Sequence, residues 1–257
     1  MSFALITGAS KGIGKSIALQ LAANKKDLLL IARSEQQLQE LATDVQKKYG
    51  IKAYYLSMDL SRQEASRHVF NWCSENGYDV DMLINNAGYG LSGSFERYTL
   101  EEHVNMMQLN MNVVVEMTYL FLPQLKKQSK AYILNIASSA AYQAIPYLSL
   151  YAASKSFVLQ FSRGLHHELK QTNVSVTCVN PGATDTAFVD RANVGTKGLE
   201  LAKKFNMRPD EVAKIALDGM YKGKTEVITG FLNKLGAALA WLLPKKTIEK
   251  ASAKIYQ

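Results

Sequence analysis

The sequence predicts a doubly wound α/β fold of about seven parallel strands with helices on both faces, and three observations carry the prediction. First, short and nearly continuous apolar runs recur at 3–7, 28–32, 53–57, 81–85, 131–137, 174–179 and 226–229. Second, amphipathic stretches lie between them, at roughly 13–24, 35–49, 62–76, 100–128, 151–171 and 209–222, with an apolar residue every third or fourth position. Strands that read apolar throughout are buried on both faces, which is the outcome when helices alternate with parallel strands. Third, no linker, repeat or low-complexity segment interrupts the series, so residues 1–257 are expected to form a single domain.

Composition narrows the function classes. Hydrophobic residues at 47% and charged ones at 20% describe a globular chain rather than a disordered or fibrous one. The formal charge of +8 is spread over short pairs such as Lys25-Lys26 and Lys126-Lys127. Without a long basic tract no nucleic-acid partner is expected; the charge fits a weak preference for phosphorylated or acyl-anionic ligands. Cys73 and Cys178 form no C-x-x-C pattern, and the four histidines (His68, His103, His166, His167) have no ligand spacing, so neither a disulfide framework nor a metal site is expected. Apolar periodicity starts at Phe3, so no leader is expected, and the late run 235–243 is far shorter than the ~20 residues of a membrane span. A cytoplasmic location is the expectation.

The first strand runs directly into TGASKGIG, Thr7 to Gly14, and then into a helix. Glycines let backbone approach a pyrophosphate, and a helix N-terminus offers unpaired N–H groups. The spacing is G-x-x-x-G-x-G (Gly8, Gly12, Gly14), one turn residue more than the usual dinucleotide fingerprint. Placed after the first strand of a Rossmann-type sheet, the loop points to a dinucleotide. At the end of the second strand, where selection of NAD usually calls for an acid, the chain has Ala32-Arg33-Ser34. Arg33 and Lys11 would supply two cations for a 2′-phosphate, so NADP(H) is the expected cofactor. Asp59-Leu60, after the third strand, is placed to flank an adenine, a role compatible with an N-cap.

Tyr151 and Lys155 stand four apart in LSLYAASKSF. On a helix they share a face, about 5–6 Å apart at Cβ. A phenol titrates near ~10, and a close cation lowers it by roughly one to three units, making it a better proton exchanger at working pH. Ser138, at the end of the fifth strand, is placed to hydrogen-bond a substrate oxygen, with Ser139 as its rival. In MMQLNMNVVV, Asn110 and Asn112 compete in the same way.

Together TGASKGIG, Asp59, NNAG at 85–88, Asn110, Ser138, Tyr151-x-x-x-Lys155 and Pro181-Gly182 resemble the short-chain dehydrogenase/reductase family over nearly the whole chain. The resemblance implies a nicotinamide-dependent oxidoreductase with Asn110, Ser138, Tyr151 and Lys155 as its catalytic set. Tyr151 would be the acid. Lys155 would tune it and hold the nicotinamide ribose, Asn110 would kink its helix and support a water chain, and Ser138 stands at the family distance from the tyrosine. The cofactor set is Gly8, Ser10, Lys11, Gly12, Ile13 and Gly14 of the loop; Arg33 and Ser34; Asp59 and Leu60; Asn86, Ala87 and Gly88; Tyr151 and Lys155; and Pro181, Gly182, Thr184 and Thr186. Of the last two, either is placed for the carboxamide. Homodimers or homotetramers through 100–128 and 151–171 are likewise implied.

Substrate choice is expected in the insertion 186–208, where Phe188, Val189, Leu199, Leu201 and Phe205 either close over an apolar substrate, assisted by Tyr89, Tyr142 and Tyr147, or form the core of small helices. The C-terminal segment 230–257 reads as an amphipathic helix that packs on the parent domain by default, with contact to a membrane surface or partner as the minor reading. The leading function is NADPH-dependent reduction of a ketone or aldehyde on an apolar or acyl substrate. The alternatives are an NADP-linked dehydrogenase of a hydroxy acid or alcohol, and a binding protein that senses NADP without turnover.

Overall fold

The run FALIT is buried at every position and forms β1 (Phe3–Thr7), paired in continuous register with β2 (Asp27–Ala32) and, with a one-residue shift after Phe3, with β4 (Val80–Asn85). The computed structural model describes residues 2–184 and 206–256. The sheet is completed by β3 (Ala53–Ser57), β5 (Ala131–Ile136), β6 (Val174–Asn180) and β7 (Glu226–Ile228), all parallel, in the order β3-β2-β1-β4-β5-β6-β7. From β1 the chain steps outward to β3, then returns to β4 on the other side of β1 and steps outward again. That reversal opens a crevice beyond the carboxyl ends of β1 and β4.

Alternate strand residues feed two cores. On one face α1 (Gly12–Ala23), α2 (Glu35–Tyr49) and α7 (Pro209–Tyr221) bury Ile17, Leu38 and Met220 against Ile6, Leu30 and Leu134. The other face carries α3 (Ala65–Glu75), α4 (Leu100–Met107), α5 (Val113–Leu125) and α6 (Ser149–Glu168), with Val69, Met106, Phe121 and Leu165 against Leu5, Leu83 and Ile133.

The elements follow the sequence pattern, with instructive departures. The single helix expected at 100–128 is two helices joined by a π turn at Gln108–Asn112. A π turn takes up one extra residue per turn and leaves the ordinary ladder, and it falls at the polar break that interrupts the apolar stripe. The C-terminal segment forms α8 (Phe231–Leu242) and α9 (Lys245–Tyr256), separated at Leu243-Pro244, because the residue before a proline is pushed out of the helical region. α8 rests on the parent domain, as expected by default, but by its small-residue face. It packs through Asn233, Ala237 and Ala240, and its large apolar side chains face outward. Thr186 and the five apolar residues of the insertion lie outside the described residues.

Candidate active site

The glycine loop is shaped by its neighbours. Gly8 and Gly12 have φ of +65° and +54°, the left-handed region that a side chain disfavours. A Cβ on Gly8 would sit 2.7 Å from the Asn86 amide nitrogen, and one on Gly14 would collide with the Gly8 carbonyl and the same amide. Asn86 Nδ2 donates to the carbonyls of Thr7 (2.9 Å) and Gly8 (3.1 Å), while Thr7 Oγ1 accepts from the backbone N–H groups of Asn86 (2.9 Å) and Ala87 (3.0 Å). The loop is thus tied to the Asn85–Gly88 turn, and the Asn86 amide is a strut of the loop. α1 begins after Lys11 with no side-chain cap and no acid in its first turn, so its first N–H groups point into the crevice mouth with a favourable dipole end. Those features fit a pyrophosphate.

Exposed Lys11 and Arg33 border the same end of the sheet, with half-buried Ser10, Ile13 and Ser34. Ser34 occupies the N-cap position of α2 without using its hydroxyl as a cap. Burial by itself raises the Asp59 carboxyl, but hydrogen bonds from Ser61 Oγ (2.8 Å) and its N–H (3.1 Å), with Arg33 and Arg62 nearby, outweigh it and hold the group below the usual carboxylate range. The Leu60 side chain is turned into the core, leaving only its backbone for a ligand.

The second half of the crevice collects Tyr151, Lys155, Asn110 and Gly88. Tyr151 and Lys155 are both buried on one face of α6, and Lys155 Nζ lies 5.8 Å from the centre of the tyrosine ring. The ammonium donates to the Ile136 carbonyl (3.0 Å) at the end of β5. Burial drives its pKa from 10.5 down to about 8. Asn110 is clamped within the π turn. Its Oδ1 accepts from the Tyr89 N–H (3.1 Å), and its Nδ2 donates to the Tyr89 carbonyl (2.9 Å) and to Ser154 Oγ (3.1 Å). Asn112 is exposed and bonds Gln108, whereas Asn110 is the one of the two that is buried beside Tyr89 and Ser154. A Cβ on Gly88 would sit 3.0 Å from Asn110 Oδ1 and 3.3 Å from Lys155 Nζ, so that glycine covers the pair.

Ser138 follows β5 and caps the short 3-10 turn Ser139–Tyr142, its Oγ accepting from the Ala140 N–H (3.1 Å). The Ser139 N–H donates to the Pro181 carbonyl (2.8 Å), which draws the 181–184 turn alongside. Gly182 is packed against Asn233 of α8, and Thr184 Oγ1 donates to the Gly182 carbonyl (3.0 Å).

Two of the tyrosines expected at the substrate are turned elsewhere. The Tyr142 hydroxyl donates to Glu226, and burial with that carboxylate raises its pKa; the Tyr89 hydroxyl donates to Asn105 Oδ1 (2.8 Å). Both find strong acceptors inside the fold, which outweighs exposure to a pocket. Tyr147, at φ +64°, accepts from the Gly93 N–H (2.8 Å) at the entrance to α6.

Sequence reasoning missed Thr7, which organises the loop, and Ser154, which accepts from Asn110 and donates to the Tyr151 carbonyl (2.7 Å). The signal for Ser154 was its place three residues after Tyr151, one helical turn on and on the same face.

Residues 2–197 match the short chain dehydrogenase family. The chain is 36% identical over 186 residues to the very-long-chain 3-oxoacyl-CoA reductase of Anas platyrhynchos, a match covering 70% of this chain and 59% of that protein. It thus spans less than two thirds of that relative. To the human 17-beta-hydroxysteroid dehydrogenase type 3 it is 30% identical over 244 residues, 91% of this chain and 76% of the other. The solved structure of a short-chain dehydrogenase from Sphingobium yanoikuyae in complex with NADPH superposes with a TM-score of 0.82 at 30% identity, over 94% of this chain and 95% of that one. With a fold, a glycine loop and a family match that agree over most of its length, the chain belongs to the short-chain dehydrogenase/reductase family.

Proposed function

We propose that the protein reduces a ketone or aldehyde carbonyl on an apolar or acyl substrate, using NADPH. The observation that carries the reading is the buried Lys155 ammonium, anchored on the Ile136 carbonyl, sharing one face of α6 with Tyr151. Gly8, Gly12 and Gly14 with the first turn of α1 would hold the pyrophosphate, Asp59 the adenosine end, and Lys155 and Gly88 the nicotinamide end. Lys11 and Arg33 support NADP over NAD, being cations where a 2′-phosphate would sit. When bound, the reduced nicotinamide supplies a hydride to the carbonyl carbon.

The chain's own residues do the rest. Ser138 orients the carbonyl oxygen and stabilises the charge that grows on it. Tyr151 gives that oxygen its proton, and Lys155, cationic below about pH 8, favours the phenolate left behind. Asn110, held by Tyr89 and Ser154, fixes the helix beneath the lysine. Similarity to a very-long-chain 3-oxoacyl-CoA reductase and to a 17-beta-hydroxysteroid dehydrogenase favours acyl or steroid-like substrates. Exposed Leu100, Val104 and Tyr119 on α4 and α5 support a homodimer or homotetramer, and a cytoplasmic location fits the two free, buried cysteines.

The test is NADPH consumption across ketones, aldehydes and 3-oxoacyl thioesters, with NADH in parallel, for the wild type and Tyr151→Phe. Turnover of one class, lost about 10²-fold or more in the variant with dinucleotide affinity retained, is the expected result. Binding without turnover on every substrate would return the protein to the class of sensors.

A further inference from the structure

The two C-terminal helices, α8 and α9, present a surface that the rest of the fold does not explain. α8 rests on the domain through small residues, with Ala240 buried, Asn233 Nδ2 donating to the Thr229 carbonyl (2.7 Å), and the helix leaning on the turn Ser139–Tyr142. α9 is pinned by Gln143 Nε2 donating to Ser252 Oγ (2.9 Å). Held in this way, α8 turns Phe231, Leu235, Leu239 and Leu242 outward as one stripe at spacings of four, four and three, with Trp241 beside it. Phe231 is 78% exposed and Trp241 86%.

The segment that carries the stripe is predominantly basic. From residue 231 on, Lys234, Lys245, Lys246, Lys250 and Lys254 are all exposed, and Glu249 is the only acid. A second copy of this chain seated on the stripe would bring the same lysines against these. An anionic surface would neutralise them while taking up the apolar residues, and indole and lysine are the side chains that favour a bilayer interface. α8 has 12 residues, about 18 Å of helix against a hydrocarbon core of about 30 Å, and among the described residues no helix is long and apolar enough to cross.

We propose that the C-terminal segment α8–α9 docks the protein on the surface of an anionic phospholipid bilayer, the stripe of α8 lying in the interface and the lysines on the headgroups. The docking stands independently of the reaction. Its consequence, which rests on the carbonyl-reductase reading, is that the turn Ser139–Tyr142 and Gly182, adjacent to α8, lie on the side from which substrate would come out of the bilayer rather than out of water.

The experiment is co-sedimentation of the full chain with vesicles of phosphatidylcholine and phosphatidylglycerol in equal parts, against phosphatidylcholine alone. Trp241 fluorescence is read in a Trp72→Phe background, the chain having two tryptophans. Binding to the anionic vesicles with a blue shift of Trp241, weakened by salt, is expected. Lys245→Glu/Lys246→Glu should lower partitioning about thirtyfold or more, and Trp241→Ser/Leu242→Ser should abolish it. Thermal melting and turnover of a water-soluble ketone report folding in both variants, and partitioning remains readable if no substrate is ever turned over. No binding to anionic vesicles, or binding indifferent to the lysine reversal, overturns the proposal. So does self-association in ultracentrifugation that Trp241→Ser/Leu242→Ser dissolves, which would make the stripe a subunit interface.

Discussion

Lys155 carries a cation into a place where burial disfavours one, and two measurable properties follow from that single side chain. Its folded-state pKa of about 8 lies under the ordinary 10.5, so the folded protein binds fewer protons than the unfolded chain between these values. Below pH 8 the cost of burying the charge is present in full, and it is relieved as pH climbs toward 10.5, by up to about 3 kcal/mol. Thermal melts of wild type and Lys155→Met from neutral to alkaline pH should show a rise in the wild type that the variant lacks; parallel curves would remove Lys155 as its source. The same proton acts in the opposite sense on catalysis, because the neutral amine no longer favours a phenolate. Reductive turnover should therefore decline as pH passes about 8. At the other end of the crevice, Gly14→Ala places a methyl against the Gly8 carbonyl and the Asn86 amide. Backbone cannot yield cheaply, so the melting temperature should fall by several degrees and dinucleotide affinity by about tenfold or more.

Among the elements, the π turn at Gln108–Asn112 has a stated occupation. It brings Asn110 to bear on both backbone groups of Tyr89 and on Ser154, which in turn reaches the Tyr151 carbonyl. A helix continued without the extra residue would rotate that amide away. Replacing Asn110 by Leu deprives two buried backbone groups of this partner, at roughly 1–3 kcal/mol each. The expected outcome is a lowered melting temperature together with a fall in turnover, whereas Asn112→Leu, at an exposed position, should change neither. Equal effects of the two substitutions would refute the assignment of the turn.

For the molecule as a whole, the order β3-β2-β1-β4 brings Thr7 of the first strand and Asn86 after the fourth into one hydrogen-bonded unit, although they are 79 residues apart. A dinucleotide lying across that seam would join the two halves of the sheet. A ligand that binds only the folded state raises stability by about 2.7 kcal/mol at a concentration about 100-fold above its dissociation constant. NADPH should raise the melting temperature more than NADH at equal concentration, and Arg33→Asp should reverse that order by removing a partner of the 2′-phosphate. An equal shift from both cofactors in the wild type would sink the assignment of Arg33.

Features that depend on neighbours along the chain can be read without the fold. The seven strands, the helices between them, the glycine turn and the Tyr151–Lys155 pairing are legible because period and spacing are local properties of a strand or a helix. Other features were decided only by contacts between segments distant in the sequence. Nothing in LSLYAASKSF states that Lys155 meets the Ile136 carbonyl and is shielded from water, yet that burial sets its pKa. Spacing favoured Asn110 over Asn112, but only the fold shows one buried against Tyr89 and the other exposed. The stripe on α8 was visible as apolar residues, but which way it faces is settled by Asn233, Ala237 and Ala240, whose small side chains allow close approach to the domain. Hydrophobic periodicity records that a helix has two faces; which of them turns inward depends on the shape of the surface it meets, and that shape exists only once the chain has folded.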